Sequence, residues 1–316
     1  MRTFLLQRAV SSVAGALALS ILIFGLIRLV PGDAVTMWMG QEGSMRPEVQ
    51  QTLRRMFGLA DPAYVQYFRW LGDLIRGDLG FSFRSRQPVL PLIAQAVPIT
   101  IQLAVMATLL SAVVAVPLGI LSAVKRNTSL DVIARLLALA GLSMPTFWIG
   151  VLFILVSTTV FNWLPGLFFV SLVKDPGENL KQMAMPAVAL ALPLMGVVMR
   201  MTRSALLEVL GQDFVRTARA KGARELRVLT IHALGNALIP IVTVMGIQLG
   251  RLLGGAVIVE QIFGLPGVGS LLVSAITERD YPMIQGAVLA MGLLFIFVQV
   301  VVDFSYAAID PRVRYA

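Results

Sequence analysis

The fold class this sequence predicts is an all-α, polytopic membrane bundle of about six transmembrane helices. Composition comes first: 57% of the 316 residues are hydrophobic and only 14% charged, with a mean hydropathy of +0.83. A soluble domain carries about 25% charged residues. Patterning comes second, because the apolar residues are gathered into long uncharged runs. The 19 residues between Arg8 and Arg28 are one such run, long enough to cross a ~30 Å hydrocarbon core at about 1.5 Å per residue. The third observation is the placement of basic residues at the ends of these runs. In lipid every backbone polar group must be bonded internally, so runs of this length are expected to be helices. The chain reads as one membrane domain, 1–316.

Taken in order, the first span lies between Arg8 and Arg28. No small-x-small cleavage site followed by a soluble segment is evident after Ile27, so an uncleaved first helix is expected. Residues 31–98 are mixed and near-neutral and read as an external insertion of short amphipathic helices. Within it Tyr64, Tyr67, Phe68, Trp70 and Leu71 fall at helical spacing. They suit packing on the membrane body, a surface that receives a soluble protein, or both. The uncharged run from Gln87 to Val124 is too long for one crossing. The span is placed from about Ile99 to Val124, with 87–98 as a lead-in. A third span runs from about Leu136 to Phe161, with Pro145 expected to kink it. A fourth occupies roughly 184–198, reaching towards Ala205, and a fifth 236–258. A sixth follows Pro282 and ends near Ala307, with Gln299 and Asp303 towards its inner end. The glycine-rich stretch between the last two is apolar enough to be partly re-entrant.

The most basic stretch, 200–235, separates the fourth and fifth spans. Arg200, Arg203, Arg216, Arg219, Lys221, Arg224 and Arg227 are seven of the 26 lysines and arginines, which places this loop in the cytosol. Six spans then put both termini in the cytosol, in agreement with Arg312 and Arg314. Asp213 suits a helix N-cap, and Gly222 suits the left-handed residue that ends a short helix from Phe214 to Lys221. Ala218, Ala220, Gly222 and Ala223 keep its profile low, as insertion into a partner's groove would require. A basic loop beside a membrane also binds acidic headgroups, so membrane lipid is a second expected partner.

From Ala218 through Gly222 to Pro240 the order of small residues, glycine, apolar helix start and proline resembles the EAA motif of bacterial ABC importer permeases. PGD at Pro31 to Asp33, DPAYVQYFRWLGDLIRGDLGFS from Asp61, PTFWIG from Pro145, RDYPMIQGAV from Arg279 and YAAIDPRVRY from Tyr306 continue the likeness almost end to end. Arg216 stands where the general motif has glutamate, and Gly235 where it often has proline. Together the motifs are similar to the first permease subunit of the dipeptide, oligopeptide and nickel group. The resemblance implies a type I ABC importer permease fold in the inner membrane. Its partners would be a homologous second permease, two ATP-binding subunits that use ATP and Mg, and an external substrate-binding protein. It also implies that Asp213, Arg216, Thr217, Ala218, Arg219, Ala220, Lys221, Gly222 and Ala223 form the ATPase-coupling helix. The cargo it implies is a di- or oligopeptide, with nickel chelates, glutathione and oligosaccharides as the group's other options.

Other chemistries find little support. The net charge of +9 is distributed at loop ends rather than interleaved with aromatics on a soluble face, so nucleic acid is not an expected partner. There is no cysteine and one histidine, His232, so neither a thiolate nucleophile nor a common metal centre is expected. Gly264, Gly267 and Gly269 lack the lysine and hydroxyl residues of a phosphate-binding loop, and no GxSxG occurs. No catalytic role is expected, and cofactors are left to the partner ATPases. Gln102, Gln248 and Arg251 are candidates for a translocation path, since polar groups in spans commonly face a cavity. Bonding between helices accounts equally for the glutamines, and interfacial snorkelling for Arg251. A passive channel or secondary transporter is the rival class. It calls for an inverted repeat or several intramembrane ionisable residues, neither of which is evident.

Overall fold

The computed structural model describes residues 2–29, 61–163, 166 and 168–309. The helices are α1 (Arg2–Leu29), α2 (Ala63–Ile75), α3 (Val89–Val124), α4 (Ser129–Ser143), α5 (Thr146–Val160) and α6 (Pro176–Leu210). They are followed by α7 (Asp213–Ala220), α8 (Glu225–Arg227), a π-helical turn (Val228–Ala233), α9 (Leu234–Phe263), α10 (Val268–Glu278) and α11 (Tyr281–Ile309). Among the described residues five helices are long and apolar enough to cross a membrane, and α4 with α5 forms a sixth, bent pair. The motifs at 31–33 and 310–315, with Arg312 and Arg314, lie outside the described residues. So does most of the polar insertion before Asp61.

Three expectations are corrected. The third span is not one kinked helix: α4 and α5 meet at 101°, with the break at Met144 and Pro145. Pro145 caps α5 from outside, because it has no N–H to continue α4 and restricts the residue before it. Fifteen residues give each helix about 22 Å, less than a full crossing. Next, the lead-in 87–98 is already helical from Val89, so α3 runs 36 residues through Pro91 and Pro98. Finally, α6 begins well before 184. The Asp175 side chain accepts from the Glu178 N–H at 3.0 Å and Pro176 occupies the first turn, a start signal that extends the helix to 35 residues.

The described residues fall into two compact units. Among the described residues one comprises Thr100–Leu265 and the part of α11 from Phe297 to Ile309, and its central post is α6. Within the apolar window of α6, 61% of residues are buried, against 17–33% in the other long helices. Close approach of backbones makes this possible. At Gly196 of α6 a Cβ would collide with the carbonyl of Ala138 in α4, so only glycine fits the contact. Buried Ala187, Ala189, Ala191 and Ala205 keep the same helix slim.

The other unit comprises, among the described residues, Arg2–Leu29, Asp61–Ile99 and Pro266–Ile296. Val89, Ile93, Ala275 and Met283 form one buried cluster in it and Ala96, Val268 and Ala287 another. Polar groups close its margin. Ser82 donates to Asp280 at 2.5 Å, and Asp280 also accepts from the Arg84 N–H at 3.4 Å. In the same unit α2 lies against α1. Tyr67 and Trp70 pack on Phe24, whereas Tyr64 and Phe68 face outward.

Candidate functional site

The candidate site is the short helix between the two long apolar helices α6 and α9. α6 ends at Leu210, Gly211 and Gln212 turn the chain, and α7 begins at Asp213. Here the N-cap expectation is corrected: Gln212, in extended backbone, caps the helix and Asp213 is its first residue. No side chain bonds the free amides. Asp213 instead accepts from Arg216 at 3.4 Å on the exposed face, and a carboxylate in the first turn still suits the positive end of a helix.

The far end is closed as glycine chemistry dictates. Gly222 has φ +79°, a conformation that costs a side-chain-bearing residue about 1–2 kcal/mol. The reversal lets the Ala223 N–H donate to the Ala218 carbonyl at 3.2 Å and the Gly222 N–H to the Arg219 carbonyl at 2.9 Å. Together these form the Schellman pair, which satisfies two carbonyls left over by the helix. The helix ends at Ala220, one residue earlier than the sequence suggests, with Lys221 as its cap.

Val215 anchors α7: it is the one buried residue of the helix, and α7 packs against the π-helical turn. Arg216, Thr217, Arg219, Ala220, Lys221 and Gly222 are exposed, and Ala218 and Ala223 are half-buried. Arg219 bonds Glu225 at two points, 3.1 Å from Nε to Oε2 and 2.6 Å from NH2 to Oε1, which raises its guanidinium pKa. That pair braces the turn between α7 and α8. Arg216, Lys221, Arg224 and Arg227 remain exposed on the same short segment. His232 lies within the π-helical turn, and its carbonyl accepts from Asn236 at 2.9 Å. The arrangement holds a single-anchored, basic, small-residue helix exposed between α6 and the segment that leads through α8 and the π-helical turn into α9.

The path candidates are placed separately. Gln248 and Arg251 meet one turn apart on α9, where Arg251 donates to Gln248 at 3.2 Å. Gln102 on α3 instead donates to Asn179 on α6, and Asn179 donates to the Val170 carbonyl at 2.8 Å. Gln102 thus takes part in helix-to-helix bonding, one of the two roles open to it.

Sequence reading missed two groups. Arg203, counted there among the loop cations, is largely withdrawn from solvent and pairs with fully buried Asp131. Ser122 at the end of α3 also donates to Asp131 at 2.5 Å, and the Asn127 N–H at 3.0 Å. An acid at the head of an otherwise apolar run was the available signal. Glu260, fully buried in α9, accepts from fully buried Thr100 at 2.6 Å. Among the described residues no cluster of three metal-ligating side chains occurs.

Comparison with known proteins gives the family. Residues 115–315 match the family described as the inner membrane component of binding-protein-dependent transport systems, and residues 1–104 match the N-terminal part of such components. A peptide transport system permease protein of Brucella abortus (strain 2308) is 41% identical over 315 residues, covering 100% of both chains. The dipeptide transport system permease protein DppB of Escherichia coli (strain K12) is 38% identical, covering 100% of this chain and 99% of its own. Among solved structures, the MetNI methionine ABC transporter in inward facing conformations aligns with a TM-score of 0.54. It is 21% identical, covering 69% of this chain and 96% of that one, and so bears on the fold alone. The chain belongs to the family of binding-protein-dependent transport system inner membrane components.

Proposed function

We propose that this chain is the permease subunit of an ATP-driven importer of di- or oligopeptides, and that α7 is the helix through which ATPase movement enters the membrane domain. The observation that carries the coupling role is the construction of α7. An exposed basic helix, capped at Gly222 and anchored by Val215, follows α6 after two residues and is continued to α9 by the 221–224 turn, α8 and the π-helical turn. Displacement of such a helix is passed to α6 and α9, and packed helical bundles respond by switching between discrete states. The peptide cargo is supported by full-length relatives named for peptide and dipeptide transport.

In this reading the chain acts as one permease domain with 31–98 outside and 200–235 in the cytosol, both termini lying in the cytosol. It performs no catalysis itself. A homologous second permease completes the pathway, two cytosolic subunits bind ATP and Mg, and an external protein delivers the peptide. Gln248 and Arg251 are the candidates for the path surface, together with Gln102, whose bond to Asn179 would then sit at its edge.

The experiment is purification of the tagged chain in mild detergent with its bound proteins, identification of those proteins by mass spectrometry, and reconstitution into liposomes. ATP-dependent uptake of labelled di- and tripeptides, with P-loop ATPases and a second permease present, is the expected result. Solute flux without ATP from the chain alone would replace this reading with a channel or secondary transporter.

A further inference from the structure

We propose that α2 is an interfacial helix, lying along the bilayer surface beside the C-terminal end of α1 with Tyr64, Phe68 and Ile75 seated in lipid. Lipid is at hand because the family is one of inner membrane components, whatever the cargo and whatever the role of α7.

α1 provides a depth scale. Its apolar stretch is Gln7–Leu26, and Ser20 lies about 9 Å below Leu26 at 1.5 Å per residue. The Ser20 Oγ and Tyr67 hydroxyl are 2.9 Å apart. The Phe24 ring is 5.2 Å from Tyr67 and 5.8 Å from Trp70, and Arg28 donates to Gln66. These contacts join Gln66, Tyr67 and Trp70 of α2 to Ser20, Phe24 and Arg28 of α1. They fix α2 against the last turns of α1. Tyr67 reaches inward from it to Ser20, which sets α2 at the boundary of headgroups and acyl chains. Helices bound at that boundary bury their apolar face by about 5–10 Å.

The faces of α2 are arranged for that position. At about 100° per residue, Tyr64, Phe68, Leu71 and Ile75 share a stripe about 60° wide. Tyr64, Phe68 and Ile75 are 67%, 66% and 79% exposed, values unlike those of residues packed in a core. Arg69, Asp73 and Arg76 are centred about 140° away on the opposite face. The Tyr67 and Trp70 side, against α1, lies between them. An apolar stripe opposite a charged one, at a fixed level beside a spanning helix, matches a surface with lipid below and water above. Aromatic residues with a polar tip favour the same zone. The charges are internally paired, Arg69 with Asp61 at 2.9 Å and Arg76 with Asp73 at 3.7 Å. Apolar burial, rather than attraction to anionic lipid, therefore holds the helix.

The chain has no cysteine, so each variant carries one labelling site within it, and the unsubstituted chain with its partners serves as the background control. The variants are Tyr64→Cys, Phe68→Cys, Ile75→Cys, Arg69→Cys and Asp73→Cys in the full chain with its co-purifying partners, in vesicles of phosphatidylcholine alone. The expected result is greater collision with oxygen than with a water-soluble nickel chelate at 64, 68 and 75, at a depth of about 5–10 Å, and the reverse at 69 and 73. Nickel accessibility at all five positions would overturn the proposal. So would immobile labels at 64, 68 and 75 shielded from both agents, which would show a protein partner on the stripe.

Discussion

Arg203 holds Asp131 at two points, Nε to Oδ1 at 2.8 Å and NH2 to Oδ2 at 2.9 Å, with the Asp131 side chain fully withdrawn from solvent. The pair joins the start of α4 to the last third of α6. With Ser122 and the Asn127 amide it also ties in the end of α3. Parallel two-point geometry of this kind is the strongest form of ion pair available to a guanidinium.

Breaking that pair is expected to destabilise the chain by about 3 kcal/mol, the low end of the cost of removing one partner of a buried pair, since Arg135 still faces Asp131 at 3.4 Å when Arg203 is lost. Arg203→Ala or Asp131→Ala will lower the thermal midpoint in detergent. The double variant Asp131→Asn with Arg203→Met will lose less than the sum of its single changes, because neither charge is then stranded. Equal, additive losses would mean that the two side chains act independently.

Gly222 carries the end of α7, so Gly222→Val is expected to cost about 1–2 kcal/mol locally through the left-handed backbone. The Schellman bonds from Gly222 and Ala223 would be lost with it. The prediction is a loss of ATP-driven uptake with the chain still inserted and folded, measured by transport and ATPase assays on the same liposomes. Unchanged uptake would remove α7 from the coupling role.

The Arg219–Glu225 pair behaves differently because both side chains are substantially exposed, 42% and 64%. Glu225→Gln is expected to change stability by no more than about 1 kcal/mol, with the difference shrinking in high salt. A thermal midpoint recorded at low and high salt checks this. A large, salt-independent loss would show that the brace is a structural keystone.

Asn179 is buried between Gln102 and the Val170 carbonyl. Asn179→Leu strands both partners and is expected to cost about 1–3 kcal/mol. Arg251→Ala, on the exposed part of α9, is expected to leave the thermal midpoint unchanged and to alter the KM of uptake. An unaltered KM would take Arg251 out of the path.

Sequence alone was sufficient for the helical membrane class, the approximate number of spans, the basic loop and its glycine stop. Each depends on local quantities: the length of an uncharged run, the need to satisfy backbone groups in lipid, and the freedom of Gly222 to adopt positive φ. The family motifs were legible for the same reason, since they are carried by order along the chain. Tertiary structure decided the rest. The 101° turn at Pro145 depends on what surrounds α4 and α5, because a proline kinks or breaks a helix according to its neighbours. Arg203 reads as a loop cation until Asp131, 72 positions away, is brought against it. Tyr64 and Tyr67 share a pattern in the sequence, yet only Tyr67 meets α1. Pairings between distant residues are set by how helices pack, and composition and spacing do not encode which faces will meet.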